Sequence, residues 1–265
     1  MEDQDFLTFI QNVKNNTAID LSQYKEAQMK RRLTSLRNKR GFDNFPEYYT
    51  ALTKNDEMLS EFIDRITINV SEFYRNPKRW DILRTRVFPL LTKNKREITI
   101  WSAACSTGEE SYTLAILINE FFGNNRDGWD TTMLATDISR KVLEIAEKGV
   151  YSKEKIAPLP ALWKTKYFKN IDGQNVEIID EIKKKVIYRR FNLVQKHFPF
   201  KRKLHVIFCR NVMIYFDMFT KTELINKFYE HLEPGGYLFI GHSESINRET
   251  SKFKYVMPAV YRKLE

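Results

Sequence analysis

The stretch ITIWSAACSTGEESY, residues 98–112, decides the fold of this 265-residue chain. Its apolar beginning, Ile98 to Ser102, predicts a β-strand, and the apolar spacing over residues 114–118 predicts a helix behind it. Small residues connect the two, and small residues at a strand-to-helix turn let a ligand approach the backbone amides. Parallel α/β sheets bind ligands at the carboxyl ends of their strands, where this turn would lie. An ordinary strand–helix turn has the same composition, so the rest of the chain has to distinguish the two.

A second strand and a second helix follow this stretch. Residues 132–136 predict a strand that ends at Asp137, and Ser139 can cap a helix that runs to Gly149. Such alternation of strands and helices predicts a parallel, doubly wound sheet. An acidic residue at the end of strand two can accept hydrogen bonds from both hydroxyls of a ribose, as in dinucleotide-binding folds. An aspartate that caps a helix would read in the same way.

The alternation is interrupted over residues 151–195. Asp172-Gly173 is a strong hairpin dipeptide and lies between the strand-like residues 166–168 and 176–179. Residues 185–191 predict a further strand, which ends at Asn192-Leu193. We therefore expect a small antiparallel β-subdomain, inserted at about residues 165–191, from which the chain returns to the main sheet.

The main sheet resumes with the buried strand Leu204 to Cys209, which ends at Arg210-Asn211. Polar residues at the carboxyl end of a strand, followed by the apolar and aromatic residues 212–216, predict a pocket wall. The remaining helix and strands are predicted at residues 221–232, 237–241, 254–256 and 259–261. A helix, a strand and a final antiparallel hairpin are typical of the way nucleoside-binding methyltransferase sheets close.

Residues 1 to about 75 show helical spacing of apolar residues and no strand pattern, which predicts a helical domain. Its second helix can begin after Asp20 and end at Gly41. The cations of this helix are Lys25, Lys30, Arg31, Arg32, Arg37, Lys39 and Arg40. On a helical wheel Lys30 and Arg37 flank the apolar side, and Arg31 lies away from it. The charge therefore covers the exposed side, either as a solvated surface or as a docking surface for an acidic partner.

Composition narrows the class of protein. Hydrophobic residues make up 42% of the chain, with only 9 Gly and 8 Pro, which predicts a packed core without low-complexity tails. No apolar run approaches the roughly 18 residues that span a bilayer, and the acidic N-terminus is no secretory signal. Two cysteines and four histidines, without disulfide or metal spacing, predict a reducing cytoplasm and no metal. The net charge of +10 predicts a polyanionic partner: nucleic acid, an anionic membrane or an acidic protein surface.

Five segments, taken together and in order, resemble the CheR-type chemotaxis receptor methyltransferases. They are Asn69-x-Ser71-x-Phe73-Tyr74-Arg75, residues 103–110 (AACSTGEE), 135–138 (ATDI), 207–217 (IFCRNVMIYFD) and 241–244 (GHSE). Each segment is weak alone, but five in register over essentially the whole chain are highly specific. Ser71 stands where the family commonly has Thr, which keeps the hydroxyl, and Tyr74 stands where Phe is usual.

The resemblance implies a Rossmann-like methyltransferase domain over residues 77–265, preceded by an all-α domain over residues 1–76. It implies S-adenosylmethionine (SAM) as methyl donor, S-adenosylhomocysteine as product, and glutamate side chains of membrane chemoreceptors as acceptors. The products would be glutamyl γ-methyl esters that serve sensory adaptation. The implied SAM contacts are Asn69, Ser71, Arg75, one or both of Glu109 and Glu110, Asp137, Asn192, Leu193, Arg210 and Asn211. The resemblance places Arg75 and Tyr215 beside the transferring methyl group, as catalytic residues.

The chemistry of the acceptor agrees with these residue types. A glutamate carboxylate, with a pKa of about 4.3, is already ionised at neutral pH, so methyl transfer needs no general base. Proximity and orientation should carry most of the rate. A guanidinium such as that of Arg75 can hold a carboxylate, and a phenol such as that of Tyr215 can steer it.

Receptor docking follows from the same resemblance. Methylation segments of receptors are helices rich in glutamate, so we expect Lys30, Arg31 and Arg37 to attract them. In some relatives the β-subdomain also grips a short peptide at the receptor's C-terminus. Here the loop over residues 169–175 is shorter and less glycine-rich than in those relatives. We therefore predict recognition without that tether.

Two other functions would suit a basic SAM-binding fold. A nucleic-acid methyltransferase would be basic as well, but the chain has no Asp/Asn-Pro-Pro-Tyr segment for amino methylation. A non-enzymatic adaptor would have lost Asp137, Arg75 or the Gly108 turn, and all three are present. The sequence therefore predicts a protein-glutamate O-methyltransferase that binds no nucleic acid and does not insert into the membrane.

Overall fold

The computed structural model describes residues 2–17, 19, 21–23, 26–66, 71–93, 97–123, 128–247, 249 and 251–264. The N-terminal helices are α1 (Glu2–Thr17), α2 (Glu26–Lys39), α3 (Phe45–Lys54) and α4 (Asp56–Ile66). Aromatic side chains from three of these helices pack into one core, in which Phe9 contacts Phe45, Tyr48 and Phe62. The predicted helical domain is confirmed, whereas Asp20, the predicted cap of α2, lies outside the described residues.

A helical stretch leads from the N-terminal helices to the sheet. It comprises α5 (Pro77–Ile82), a π-helical turn (Leu83–Val87) and α6 (Phe88–Leu91). Trp80, on α5, is fully buried and stacks on Phe208 of the sheet with ring centroids 5.6 Å apart. This contact anchors the segment before α5 over the sheet. None of the helices in the described part of the chain is long and apolar enough to cross a membrane.

The main sheet has seven strands in the order β6-β2-β1-β7-β8-β10-β9. Its strands are β1 (Ile100–Ala103), β2 (Met133–Asp137), β6 (Val186–Arg190), β7 (Leu204–Cys209), β8 (Leu232–Ile240), β9 (Lys254–Met257) and β10 (Val260–Arg262). The first five in the spatial order pair in parallel, and β10 and β9 are antiparallel. The helices that connect them are α7 (Glu109–Phe122), α8 (Arg140–Lys148) and α11 (Met218–His231). The predicted doubly wound sheet with a closing hairpin is confirmed.

The register of the strands aligns the residues that follow them. Ala103 at the end of β1 is opposite Thr136 of β2 and Cys209 of β7, and Cys209 is opposite Ile240 of β8. The next residue of each strand or following loop is Ala104, Asp137, Arg210 or Gly241. These four residues therefore lie along one edge of the sheet, because parallel strands in register end at the same level.

A second, three-stranded antiparallel sheet forms the β-subdomain. It contains β3 (Val150–Ser152), β4 (Phe168–Asn170) and β5 (Asn175–Ile178) in the order β3-β5-β4. Two short helices, α9 (Ala161–Tyr167) and α10 (Asp180–Lys183), flank it. The Asp172-Gly173 hairpin joins β4 to β5, as its sequence predicts.

The extent of this subdomain differs from the predicted residues 165–191 at both ends. It begins at β3, because Val150–Ser152 pairs with β5, a pairing too short and too distant in sequence to leave a pattern. At the other end, Val186–Arg190 pairs in parallel with β2 and is an edge strand of the main sheet.

Candidate functional site

The turn between β1 and α7 is a tight left-handed loop. Ala104, Ser106 and Gly108 all have positive φ, of 63°, 50° and 92°. Non-glycine residues adopt this conformation where surrounding contacts stabilise it, and such residues concentrate at functional sites. A Cβ atom at Gly108 would lie 2.8 Å from the Tyr188 hydroxyl and 2.8 Å from Ala146 Cβ. Only glycine fits there, and the loop stays close to the sheet.

Asp137 closes this loop from the neighbouring strand. Asp137 is 7% exposed, and its carboxylate accepts hydrogen bonds from the backbone N–H groups of Ser106, at 2.9 Å, and Ser139, at 3.0 Å. Burial raises the pKa of Asp137, and the amide hydrogen bonds oppose that rise. The cap of α8 is Ser139, whose hydroxyl accepts from the Val142 N–H at 3.2 Å. Asp137 is therefore available to a ligand and is not merely a helix cap.

A cleft of about 780 Å³, counting its opening to solvent, lies along this edge of the sheet. Asp137, Asn192, Leu193 and Asn211 line it from the sheet, together with Ala104, Ser106 and Arg210. Its other lining residues include Thr17 and Ile19 of the N-terminal domain, and Tyr215 and Phe216 beyond β7. Residues from both domains therefore border one cleft at this edge of the sheet.

A second, smaller cleft adjoins the first. Ser71, Glu72 and Arg75 line it from the segment before α5, and Cys105 and Glu110 line it from the loop and α7. Ala104, Ser106, Arg210 and Asn211 line both clefts, which are therefore adjacent and share one wall. The structure thus brings most of the predicted cofactor contacts together. Asn69 lies outside the described residues.

Arg210 separates the two clefts and is held on several sides. Arg210 is 8% exposed, and its guanidinium donates to Glu110 Oε2 at 3.0 Å and to the Arg75 carbonyl at 3.3 Å. The guanidinium carbon lies 5.5 Å from the centre of the Trp80 ring, within cation–π range. Glu110 also accepts from the Ser102 hydroxyl at 3.0 Å. Arg210 Nε is buried without a partner among the described residues. A buried orphan donor in a cleft indicates a ligand atom that accepts from it.

Glu109 is not brought to either cleft. Its carboxylate is 1% exposed and accepts from the Thr107 hydroxyl at 2.6 Å and from Lys155 Nζ at 2.5 Å. Successive helical residues point about 100° apart, so the two glutamates at the start of α7 cannot share one direction. Of the two candidates predicted to contact a cofactor, only Glu110 lines the site.

The two predicted catalytic residues line neighbouring clefts. Arg75 is partly exposed, with its Nε 4.0 Å from Glu72 Oε2, and lines the second cleft. Tyr215 is half-buried in a 3₁₀ turn (Met213–Tyr215) and lines the first. Both cysteines are buried, and burial raises the pKa of each thiol well above its usual value. A buried neutral thiol is a poor nucleophile, so neither is placed for covalent catalysis.

One of the three residues predicted to form the docking surface on α2 is buried. Arg37 is 6% exposed, lies 4.8 Å over the Phe45 ring and donates to Asn38 Oδ1. An arginine at the margin of an apolar helix face can bury its stem and stack its guanidinium on an aromatic ring. Lys30 forms an ion pair with Asp3, whereas Arg31 is exposed.

Three residues at or next to this site were not predicted from the sequence. Thr17 and Ile19 line the first cleft although they belong to the N-terminal domain. Glu244 is buried beneath Asn211 and accepts its backbone N–H at 3.0 Å. The segment GHSE carried the only available signal for Glu244, as part of the family resemblance. No pattern in the sequence marked Thr17 or Ile19, because their place depends on how the two domains pack.

Known proteins share both parts of this architecture. Residues 4–67 match the family described as "CheR methyltransferase, all-alpha domain", and residues 69–261 match "CheR methyltransferase, SAM binding domain". The chain is 42% identical over 261 residues to the chemotaxis protein methyltransferase of Borreliella burgdorferi, covering 96% of this chain and 92% of that one. It is 39% identical over 245 residues to that of Listeria innocua (92% and 91%) and 31% identical over 270 residues to that of Escherichia coli (98% and 91%).

Proposed function

Since the chain belongs to the CheR methyltransferase family, we propose that it transfers methyl groups from SAM to glutamate side chains of chemoreceptors. The products are glutamyl γ-methyl esters and S-adenosylhomocysteine. The observation that carries this proposal is that the two clefts are adjacent and share a wall of lining residues. One cleft has the acidic and apolar lining residues that a nucleoside needs, and the other is lined by a partly exposed arginine.

The residues of the first cleft fit SAM. Asp137 offers a buried carboxylate to the two ribose hydroxyls, and Leu193 and Phe216 offer apolar surface to an adenine ring. Asn192 lines the same cleft, with its Oδ1 accepting the Val194 N–H at 3.1 Å. The amino-acid end of SAM would extend toward the second cleft. There the orphan Nε of Arg210, in the shared wall, suits its carboxylate, and Glu110 of the second cleft suits its ammonium group. When bound, SAM supplies an activated methyl group on a sulfonium.

The residues of the second cleft fit the acceptor. The acceptor carboxylate is the nucleophile in its ordinary ionised form, so the protein has to orient it and exclude water. Arg75 holds this carboxylate, and Ser71 borders the same space. Tyr215 lines the first cleft together with Asn211, which also lines the second cleft. From there Tyr215 steers the methyl group or the incoming carboxylate. Asn69 remains a prediction as a cofactor contact.

Labelled SAM tests the reaction directly. The protein is incubated with membranes that carry chemoreceptors, and the labelled product is then exposed to alkaline pH. Carboxyl methyl esters hydrolyse in base and release volatile methanol, whereas N-methyl groups on nucleic acid are stable. Release of the label as methanol is expected. Base-stable label, or transfer to RNA in the absence of receptor, would overturn the proposal.

We also propose that receptor recognition does not depend on a C-terminal tether peptide. Only four residues, 171–174, separate β4 from β5, and the turn is closed by Asp172, which accepts from the N–H groups of Gln174 and Asn175. Initial methylation rates are compared for a receptor with and without its last residues. Equal rates are expected, and a lower rate with the truncated receptor would contradict this part of the proposal.

A further inference from the structure

Glu244 is a buried carboxylate that takes no part in the proposed reaction. It lies four residues beyond β8 and is 9% exposed. Its Oε2 accepts two backbone hydrogen bonds, from the N–H of Gly241 at 2.5 Å and from the N–H of Asn211 at 3.0 Å. The two amides belong to different loops, one after β8 and one after β7. A single oxygen therefore ties together two loops at the carboxyl edge of the sheet.

The backbone around this oxygen is closely packed. A Cβ atom at Gly241 would lie 2.5 Å from both Glu244 Oε2 and Asn211 Oδ1, so only glycine leaves room for the carboxylate. Asn211 has a φ of 59°, a left-handed conformation that non-glycine residues keep where neighbouring contacts stabilise it. The hydrogen bond from its N–H to Glu244 is such a contact.

The Asn211 loop connects this contact to the site. Asn211 lines both clefts, Arg210 precedes it and the 3₁₀ turn that carries Tyr215 begins two residues later. Burial raises the pKa of Glu244, and the amides of Gly241, Asn211, Met213 and Ile214 oppose that rise. Amides from along the whole loop, up to the residue before Tyr215, thus favour the charged carboxylate.

We propose that Glu244 is a positioning residue, whose carboxylate fixes the loop from Arg210 to Tyr215 against the loop after β8. Through this loop it sets the cleft that binds SAM and the place of Tyr215 beside the methyl group. The inference rests on the proposed function for the role of Tyr215, and on the fold alone for the geometry of the cleft.

Because only Oε2 of Glu244 accepts the two backbone hydrogen bonds, different substitutions should affect these contacts differently. Glu244→Ala removes both backbone contacts. Glu244→Gln keeps one oxygen that can accept both, but loses the negative charge and puts an NH₂ group at Oε1, which has no partner among the described residues. Gly241→Ala keeps the Glu244 side chain but adds a methyl group that would displace its carboxylate from Asn211. Asp130→Ala is a matched control, because its carboxylate accepts the Thr132 N–H at 2.9 Å just before β2, at the opposite edge of the sheet.

Each variant is measured for its Kd for S-adenosylhomocysteine, its kcat and KM in methyl transfer, and its Tm. Because a displacement of about 1 Å can cost ~100-fold in rate, Glu244→Ala should lower kcat by that order and raise the Kd by about tenfold. Gly241→Ala should reproduce both losses, and Glu244→Gln should recover at least half of each on a logarithmic scale. Asp130→Ala should change neither quantity.

Several outcomes would overturn the inference. The first is a folded Glu244→Ala protein with the wild-type Kd and kcat. The second is a change in Kd and kcat that disappears when all variants are assayed well below their Tm, because such a change would reflect unfolding. If Glu244→Ala does not fold, Gly241→Ala and Glu244→Gln decide in the same way. If the wild type methylates no receptor, the proposed function fails, and the Kd series alone still tests whether Glu244 shapes the cleft.

Discussion

The edge of the sheet that lines the clefts and the exposed side of α2 both carry charged residues. The charges are buried and bonded in the first region and exposed in the second. At the sheet edge, Arg210 is buried and bonded to Glu110, and Asp137 is bonded to two amides. On α2, Arg31 and Arg32 extend into solvent. Buried charges act at contact, so each partner matters, whereas exposed charges act together through a field that salt screens.

The largest effect that would separate the two regions is expected for Arg75. Arg75→Ala removes the guanidinium that we assign to the acceptor carboxylate, and losing one positioned donor typically costs about 100- to 1,000-fold in kcat. The Kd for S-adenosylhomocysteine should rise by a smaller factor than kcat falls, because Arg75 is also one of the implied SAM contacts. Arg84→Ala is the matched control, because Arg84 is an exposed arginine in the helical stretch that follows, paired only with Asp81 among the described residues. Near-normal turnover of Arg75→Ala would contradict the assignment.

Substitution of the two adjacent glutamates of α7 tests whether ligand affinity depends on contact with the cleft or on burial of the carboxylate. Glu110→Gln removes the carboxylate that we assign to the ligand's ammonium group. It should raise the Kd for S-adenosylhomocysteine by about 10- to 100-fold, since a hydrogen bond to a charged group contributes about 1.5–3 kcal/mol. Glu109→Gln breaks an ion pair outside the cleft, between a buried carboxylate and the partly exposed Lys155. It should lower the free energy of unfolding by about 1–3 kcal/mol with little change in this Kd. Equal losses of affinity in the two variants would show that the difference between them is not functional.

Binding to the cleft should depend on pH through Asp137. Burial raises its pKa in the free protein, while hydrogen bonds from ribose hydroxyls favour the ionised form. Ligand binding therefore lowers this pKa, and the Kd should rise as the pH falls through the raised value, by at most about tenfold per pH unit. Titration calorimetry across this pH range measures the effect. Asp137→Asn should bind more weakly and without this dependence; an unchanged dependence would assign it to another group.

The same raised pKa has an opposite consequence for stability. The folded state holds the Asp137 proton to a higher pH than the unfolded chain does, so this group's contribution to stability declines as the pH rises between the two pKa values. Acidification should therefore weaken binding without a matching loss of stability from this residue. Thermal unfolding of the wild type and of Asp137→Asn over the same pH range checks the sign.

The smallest effect is expected on α2. The double reversal Arg31→Glu and Arg32→Glu should raise the KM for receptor by about three- to tenfold at low salt, and by less at high salt, because exposed charges are screened. The Kd for S-adenosylhomocysteine should not change. A double reversal of Lys201 and Lys203, exposed at the amino end of β7, serves as the control. Arg37→Glu should instead lower the Tm, because Arg37 is buried against Phe45. A salt-independent rise in KM would contradict the docking role.

Much of the sheet edge could be predicted because it depends on local pattern. Asp137 and Arg210 each follow an apolar strand directly, and parallel strands bring such residues to one edge in any fold of this class. The choice between Glu109 and Glu110 could not be made in the same way. Neighbouring helical residues differ by about 100°, and only the packing of α7 in the tertiary structure decides which of them turns to the cleft.

The sequence by itself determined the order of the elements, the glycine turn at Gly108, the acidic end of β2 and the family resemblance, because each of these is encoded within a few consecutive residues. Only the tertiary structure decided which charges are buried and what they contact. Arg37 leaves the docking surface for Phe45, Glu109 pairs with Lys155, and Glu244 reaches Asn211 from 33 residues away. Such contacts join residues that are distant in the chain, and their energies depend on burial, which no local pattern records.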